Sequence, residues 1–135
     1  MRSLVPLALL AAFAVAAPVP KTVKKRDDTT QVLGRWIADK QNSHSFHFKD
    51  DGTMTVWNGP VDSGAAKYRW TLDDTASPKR MTWYDTASTP PRPQFECVYE
   101  LDGDKLTITY ESAPTVPKGV GGGNQTHRMT REGSK

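Results

Sequence analysis

Three histidines, one cysteine and two acidic glycine loops are the residues of this 135-residue chain whose types could do chemistry. A metal site needs imidazoles or carboxylates that converge on one point. His44 and His47 stand three apart in a stretch that alternates like a strand, so they point to opposite faces and cannot share an ion. His127 reaches either of them only through tertiary pairing. A metal-dependent enzyme or metal-binding protein using His44, His47 or His127 is therefore the alternative reading and not the leading one. Asp50-Asp51-Gly52 and Asp102-Gly103-Asp104 resemble calcium loops, yet hairpin geometry explains both, and neither has the longer ligand spacing of a calcium site. Cys97 falls between Phe95 and Tyr99 on the apolar side of its strand, the position of a buried inert thiol. The chain has no Gly-x-Ser-x-Gly elbow, and Gly121-Gly122-Gly123 lacks the following helix of a phosphate loop. The pattern indicates no catalytic residue and no cofactor.

The elements that must position these residues are strands. Phe95, Cys97, Tyr99 and Leu101 alternate with polar neighbours or Val98, and Leu106, Ile108 and Tyr110 do the same after the turn. With Gly103-Asp104 as a two-residue loop, Leu101 faces Leu106, Tyr99 faces Ile108 and Cys97 faces Tyr110, so the apolar side chains share one face. A glycine opening such a loop suits a type II′ turn. Residues 44–49 and 53–58 form a second hairpin. There a three-residue loop, Asp50-Asp51-Gly52, sets Phe48 against Met54 and Phe46 against Val56, whereas a two-residue loop would oppose Lys49 to Met54. Further strands are expected at 34–39, 67–72, 79–84 and 125–131, with a loop at 61–66 and a mobile loop at 112–124. Eight short strands without a helical period predict an all-β fold, a small antiparallel meander closed into a barrel so that no edge is left open.

Residues 1–16 carry the marks of a signal peptide: Arg2 near the start, an apolar run over 4–13 and the small residues Ala14-Val15-Ala16, with cleavage before Ala17. The apolar run is too short to span a bilayer, so no transmembrane segment is expected. Residues 17–32 read as a flexible leader, 33–131 as the barrel domain and 132–135 as a tail. Lys24-Lys25-Arg26 is read as part of the solvated leader, with a processing site as the other possibility. Removing residues 1–16 takes away Arg2 alone, so 18 basic residues against 15 acidic become 17, and the net charge falls from +3 to +2. That charge is small and its bases are scattered, which excludes a nucleic-acid partner. One cysteine allows no internal disulfide, and the core alone must hold the fold. Asn124-Gln125-Thr126 is formally an N-glycosylation acceptor.

Leu33-Gly34-Arg35-Trp36, the segment Leu72-Asp73-Asp74-Thr75-Ala76-Ser77-Pro78-Lys79 and above all Val98-Tyr99-Glu100-Leu101-Asp102-Gly103-Asp104-Lys105-Leu106 carry a resemblance. In their order and spacing they resemble a family of uncharacterised secreted proteins, expanded in planctomycete bacteria and described as lipocalin-like. The resemblance covers about residues 30–131. It implies a small antiparallel barrel and export, and it supplies no catalytic residues.

The aromatic residues give the remaining functional signal. Trp36, Phe46, Phe48, Tyr68, Trp70, Trp83, Phe95, Tyr99 and Tyr110 all fall on the expected inner face. Of these, Trp36, Phe46, Tyr68, Trp70, Trp83, Tyr99 and Tyr110 are the candidate ligand-binding residues of a barrel interior. Each ring buries about 150–250 Å², so nine of them favour a filled core over a wide cavity. The leading expectation is an exported, non-enzymatic lipocalin-like domain that binds a small apolar molecule at the barrel mouth or serves as an interaction module in the cell envelope.

Overall fold

A computed structural model describes residues 27–59, 64–121 and 125–134 together with Pro18. The expected signal peptide at residues 1–16, the basic cluster at residues 24–26 and Asn124 lie outside the described residues. Eight strands follow one short helix: α1 (Asp28–Gln31), β1 (Gly34–Ala38), β2 (His44–Phe48), β3 (Thr53–Asn58), β4 (Ala66–Asp73), β5 (Arg80–Asp85), β6 (Pro93–Asp102), β7 (Lys105–Ser112) and β8 (Gln125–Arg131). Each strand pairs antiparallel with the next, and β8 returns to β1 through Trp36↔Arg131, Ile37↔Thr130 and Ala38↔Met129. The result is a closed eight-stranded barrel of lipocalin-like form. Closure leaves no open sheet edge.

The turn chemistry sets the register. In the β6–β7 hairpin Leu101 pairs with Leu106, Tyr99 with Ile108 and Cys97 with Tyr110 around the loop Gly103-Asp104. Gly103 has φ +56°, the conformation that the turn demands of its first loop residue. In the β2–β3 hairpin Phe48 pairs with Met54 and Phe46 with Val56, and Gly52 takes φ +81° in the three-residue loop. A Cβ at position 103 would meet no neighbour within 4 Å, so the penalty there comes from the positive φ of the backbone. Gly103→Val should therefore cost about 1–2 kcal/mol in denaturant unfolding. Lys105→Val, on the exposed outer face, should change stability by less than about 0.5 kcal/mol. A larger loss from Lys105→Val than from Gly103→Val would contradict this register.

The inner face is filled from the base upward. Trp36, Phe46, Phe48, Met54, Trp70, Met81, Trp83, Cys97, Tyr99, Leu106, Ile108 and Met129 are buried in one cluster, with Tyr68 and Phe95 packed against it and partly exposed. Burial pushes the Cys97 thiol well above its ordinary pKa, with Glu96 adding to the shift, so it stays protonated.

Residues before Leu33 also contact the barrel. Asp27 caps α1 by accepting from Thr29 N at 3.1 Å, and Val32 is wholly buried in the core. Residues 27–32, read from the sequence as part of the leader, thus pack at the barrel base. There Trp36 Nε1 donates to Val32 O at 2.7 Å, and the Arg131 guanidinium lies 4.3 Å over the Trp36 ring. Arg131 also donates to Leu33 O at 2.9 Å and to Gln31 O at 2.5 Å, which satisfies carbonyls at the helix C-terminus. Asp28, 3% exposed, accepts from Lys79 Nζ at 2.6 Å and from Tyr99 Oη at 3.0 Å. Burial, followed by the bond and the charge of Asp28, holds the Tyr99 phenol far above its ordinary pKa.

Two loops also depart from expectation. Residue 66 opens β4 instead of ending a loop. In the segment after β7, Pro117 is buried and Gly121 N donates to Thr109 Oγ1 at 2.9 Å, so its described part packs on the outer face, where Val98 and Thr109 are buried. The C-terminal tail is held too: Glu132 N donates to Arg35 O at 2.9 Å, and the Glu132 carboxylate pairs with Arg35 Nε at 2.9 Å.

Candidate binding site at the barrel mouth

α1 closes one end of the barrel, and the strand ends at the other end leave a cleft of about 190 Å³. His44 at the start of β2, Tyr68 on β4, Trp83 on β5, Phe95 on β6 and Tyr110 on β7 line it, with Ala66 and Gly64 at the rim. Strand alternation brings these side chains together, because every one of them is an inward position at the mouth end of its strand. Their rings touch in a chain. Trp83 and Tyr110 centroids are 5.2 Å apart, Tyr110 and Phe95 5.3 Å, and Phe95 and Tyr68 5.8 Å, the last two edge to face. Trp83 Nε1 donates to Met81 Sδ at 3.1 Å, so its polar handle is used below the cleft.

Of the seven expected lining residues, the structure brings Tyr68, Trp83 and Tyr110 to the cleft. Trp36 and Tyr99 sit at the base beside α1, and Phe46 and Trp70 lie in the packed middle. The interior is thus a filled core over most of its height, and the described residues leave a cleft at the mouth.

The histidines separate into two groups. His47 lies on the outer face opposite Arg35 and Thr55. His44 and His127 both point inward at the mouth, with ring centroids 4.3 Å apart, although β1 stands between their strands. His127 is 6% exposed and its ring stacks on Tyr110 at 5.4 Å and 15°. Its Nδ1 accepts from His44 N at 2.9 Å and lies 2.9 Å from Ser43 Oγ. Burial lowers the pKa of His44, and burial together with the neighbouring His44 lowers that of His127 to about 4. Burial, with smaller contributions from Tyr68 and Cys97, raises the Tyr110 phenol, whose Oη donates to Gln125 Oε1. The site is therefore uncharged at neutral pH. Among the described residues no three His, Cys, Asp or Glu side chains converge, so the three-histidine metal site of the alternative reading does not form.

Sequence alternation signals that His44 shares a face with Phe46 and His127 with Met129. What it lacks is the barrel closure that makes them neighbours. Nothing in the strand alternation marks Trp57 as buried. It is 2% exposed although it alternates outward, covered in part by the Arg35 guanidinium 5.0 Å from its ring.

No protein-family model, no curated protein and no solved structure matches the chain. The class rests on the fold: a closed, up-and-down, eight-stranded barrel of lipocalin-like form, with a helical plug at one end and an aromatic cleft at the other.

Proposed function

We propose that this chain is an exported, non-enzymatic lipocalin-like domain that binds a small apolar molecule at the barrel mouth. The observation that carries this reading is the cleft itself, an aromatic-walled space in an otherwise filled barrel. Its volume of about 190 Å³ lies below the roughly 300–1,000 Å³ of drug-sized sites, so the guest is small. Export is supported by the pattern of residues 1–16. The resemblance to secreted lipocalin-like proteins of planctomycetes agrees with both parts of the reading.

Titration of the full chain with a panel of small hydrophobic compounds should quench tryptophan fluorescence saturably, because Trp83 forms part of the wall. Ala66 is exposed at the rim, so Ala66→Trp should fold normally and fill the cleft. Binding should then weaken at least about tenfold, a difference of about 1.4 kcal/mol. Unchanged binding in Ala66→Trp would place the guest elsewhere. Protein recovered from its native host should begin at Ala17, and an intact Met1 would sink the export reading.

A further inference from the structure

The wall of the cleft is largely aromatic, with Asn58 and the histidine pair among its polar groups, and the hydrogen bonding of that pair is incomplete. A backbone N–H can only donate, so the bond from His44 N requires a lone pair on His127 Nδ1. The neutral His127 ring therefore carries its proton on Nε2. Among the described residues that N–H, which is buried, has no acceptor, and His44 Nδ1, also buried, has no partner either. The structure thus holds, in rings 4.3 Å apart, one donor of fixed tautomer and one unpaired ring nitrogen that accepts when His44 carries its proton on Nε2. His44 forms part of the cleft wall, and His127 backs it. A buried polar group left unpaired costs about 1–3 kcal/mol, which a guest can recover by supplying the partner.

We propose that the mouth selects an uncharged, flat aromatic molecule bearing a hydroxyl group, which it receives at the His44–His127 pair. A hydroxyl oxygen accepts from one ring nitrogen while its hydrogen is given to another, so a single group satisfies both sides. The ring of such a guest lies against Tyr68, Trp83 and Phe95, whose edge-to-face arrangement exposes aromatic faces and edges to it. A carboxylate is disfavoured, because both imidazoles are neutral and the lining supplies no countercharge to a desolvated anion. This assignment rests on the reading of the mouth as a binding site and names the chemistry of its guest.

Calorimetric titration of the full chain with naphthalene, 1-naphthol and 1-naphthoate, three guests with one ring system, tests it. The expected order is 1-naphthol bound roughly threefold to tenfold more tightly than naphthalene, the worth of one net hydrogen bond, with 1-naphthoate weakest. His44→Phe should abolish the preference for 1-naphthol over naphthalene, whatever it does to the affinity for both. In nitrogen NMR of the imidazoles, 1-naphthol should shift the His44 and His127 ring signals more than naphthalene does. Equal affinity for naphthalene and 1-naphthol, or tightest binding of 1-naphthoate, would overturn the hydroxyl assignment while leaving the cleft a binding site. Failure of all three to bind would remove the binding site and the assignment together.

Discussion

Trp36→Ala should destabilise the protein by about 3–5 kcal/mol in denaturant unfolding, the cost of deleting a large buried aromatic side chain. The position is wholly buried and joins three structures at the base: the β1–β8 seam, the helical plug and the Arg131 side chain. Removing the indole leaves Val32 O without its donor and takes away the ring beneath the guanidinium, an interaction worth about 0.5–2 kcal/mol. A domain of this size is stable by about 5–15 kcal/mol, so the variant should lie near the limit of folding. Trp36→Phe separates the contributions. It keeps an aromatic face for Arg131 and loses the Nε1–H bond and part of the volume, so it should cost about half as much or less. If Trp36→Ala cost under about 1 kcal/mol, the base would not be the anchor described above.

The second large effect is one of pH. His127 protonates near pH 6.5 in the unfolded chain and only near pH 4 in the barrel. Between those values the unfolded state binds the proton and the native state does not, so stability is fully present above about pH 6.5 and falls as the pH is lowered towards 4. One proton corresponds to at most about 1.4 kcal/mol per pH unit. The groups facing His127 are Ser43 and His44 from the β1–β2 connection and β2, Phe46 from β2 and Tyr110 from β7, and none of them is an anion that would hold an imidazolium. His44 shifts in the same direction and steepens the slope. Asp51, Asp73 and Asp85 are also lowered, chiefly by hydrogen bonds from Thr53, Thr75 and Ala87. Their contributions are lost below their ordinary value of 3.8, outside this window. His127→Asn places an amide oxygen near the position of Nδ1 and should flatten the slope between pH 6.5 and 4, leaving the share due to His44. A wild-type stability curve that is flat in this range would mean that His127 charges freely within the fold.

Much of the barrel can be read from the sequence because two of its signals are local. Apolar alternation and the glycine positions of two tight turns determine the pairings Leu101↔Leu106 and Phe48↔Met54 within a few residues of each loop. The base and the mouth are harder to read, since their meaning depends on closure. Asp28 belongs to a charged, proline-rich leader by composition, and only the fold gives it Lys79 and Tyr99 as partners. Arg131 reads as the end of a polar strand until β8 pairs with β1 and lays it on Trp36. The same closure joins His44 to His127, which explains why the seven candidate ligand-binding residues include three that line the cleft but not its polar corner. The four residues of α1 are too few to show any helical period.

The clasp between Arg131 and the carbonyls of Gln31 and Leu33 also bears on how the chain folds. Arg131 and Gln31 are 100 residues apart in sequence, so the β1–β8 seam carries the largest loop-closure entropy of any pairing in the barrel, whose other strands all meet their sequence neighbours. The same clasp holds both ends of the domain together at the base. A circular permutant that joins residue 134 to residue 27 by a short linker and opens new ends in the Asp50-Asp51-Gly52 loop would turn the most distant pairing into a local one. It would make the β2–β3 hairpin the distant pairing instead, and comparison of its refolding rate with that of the native order would show how far the seam governs the speed of folding.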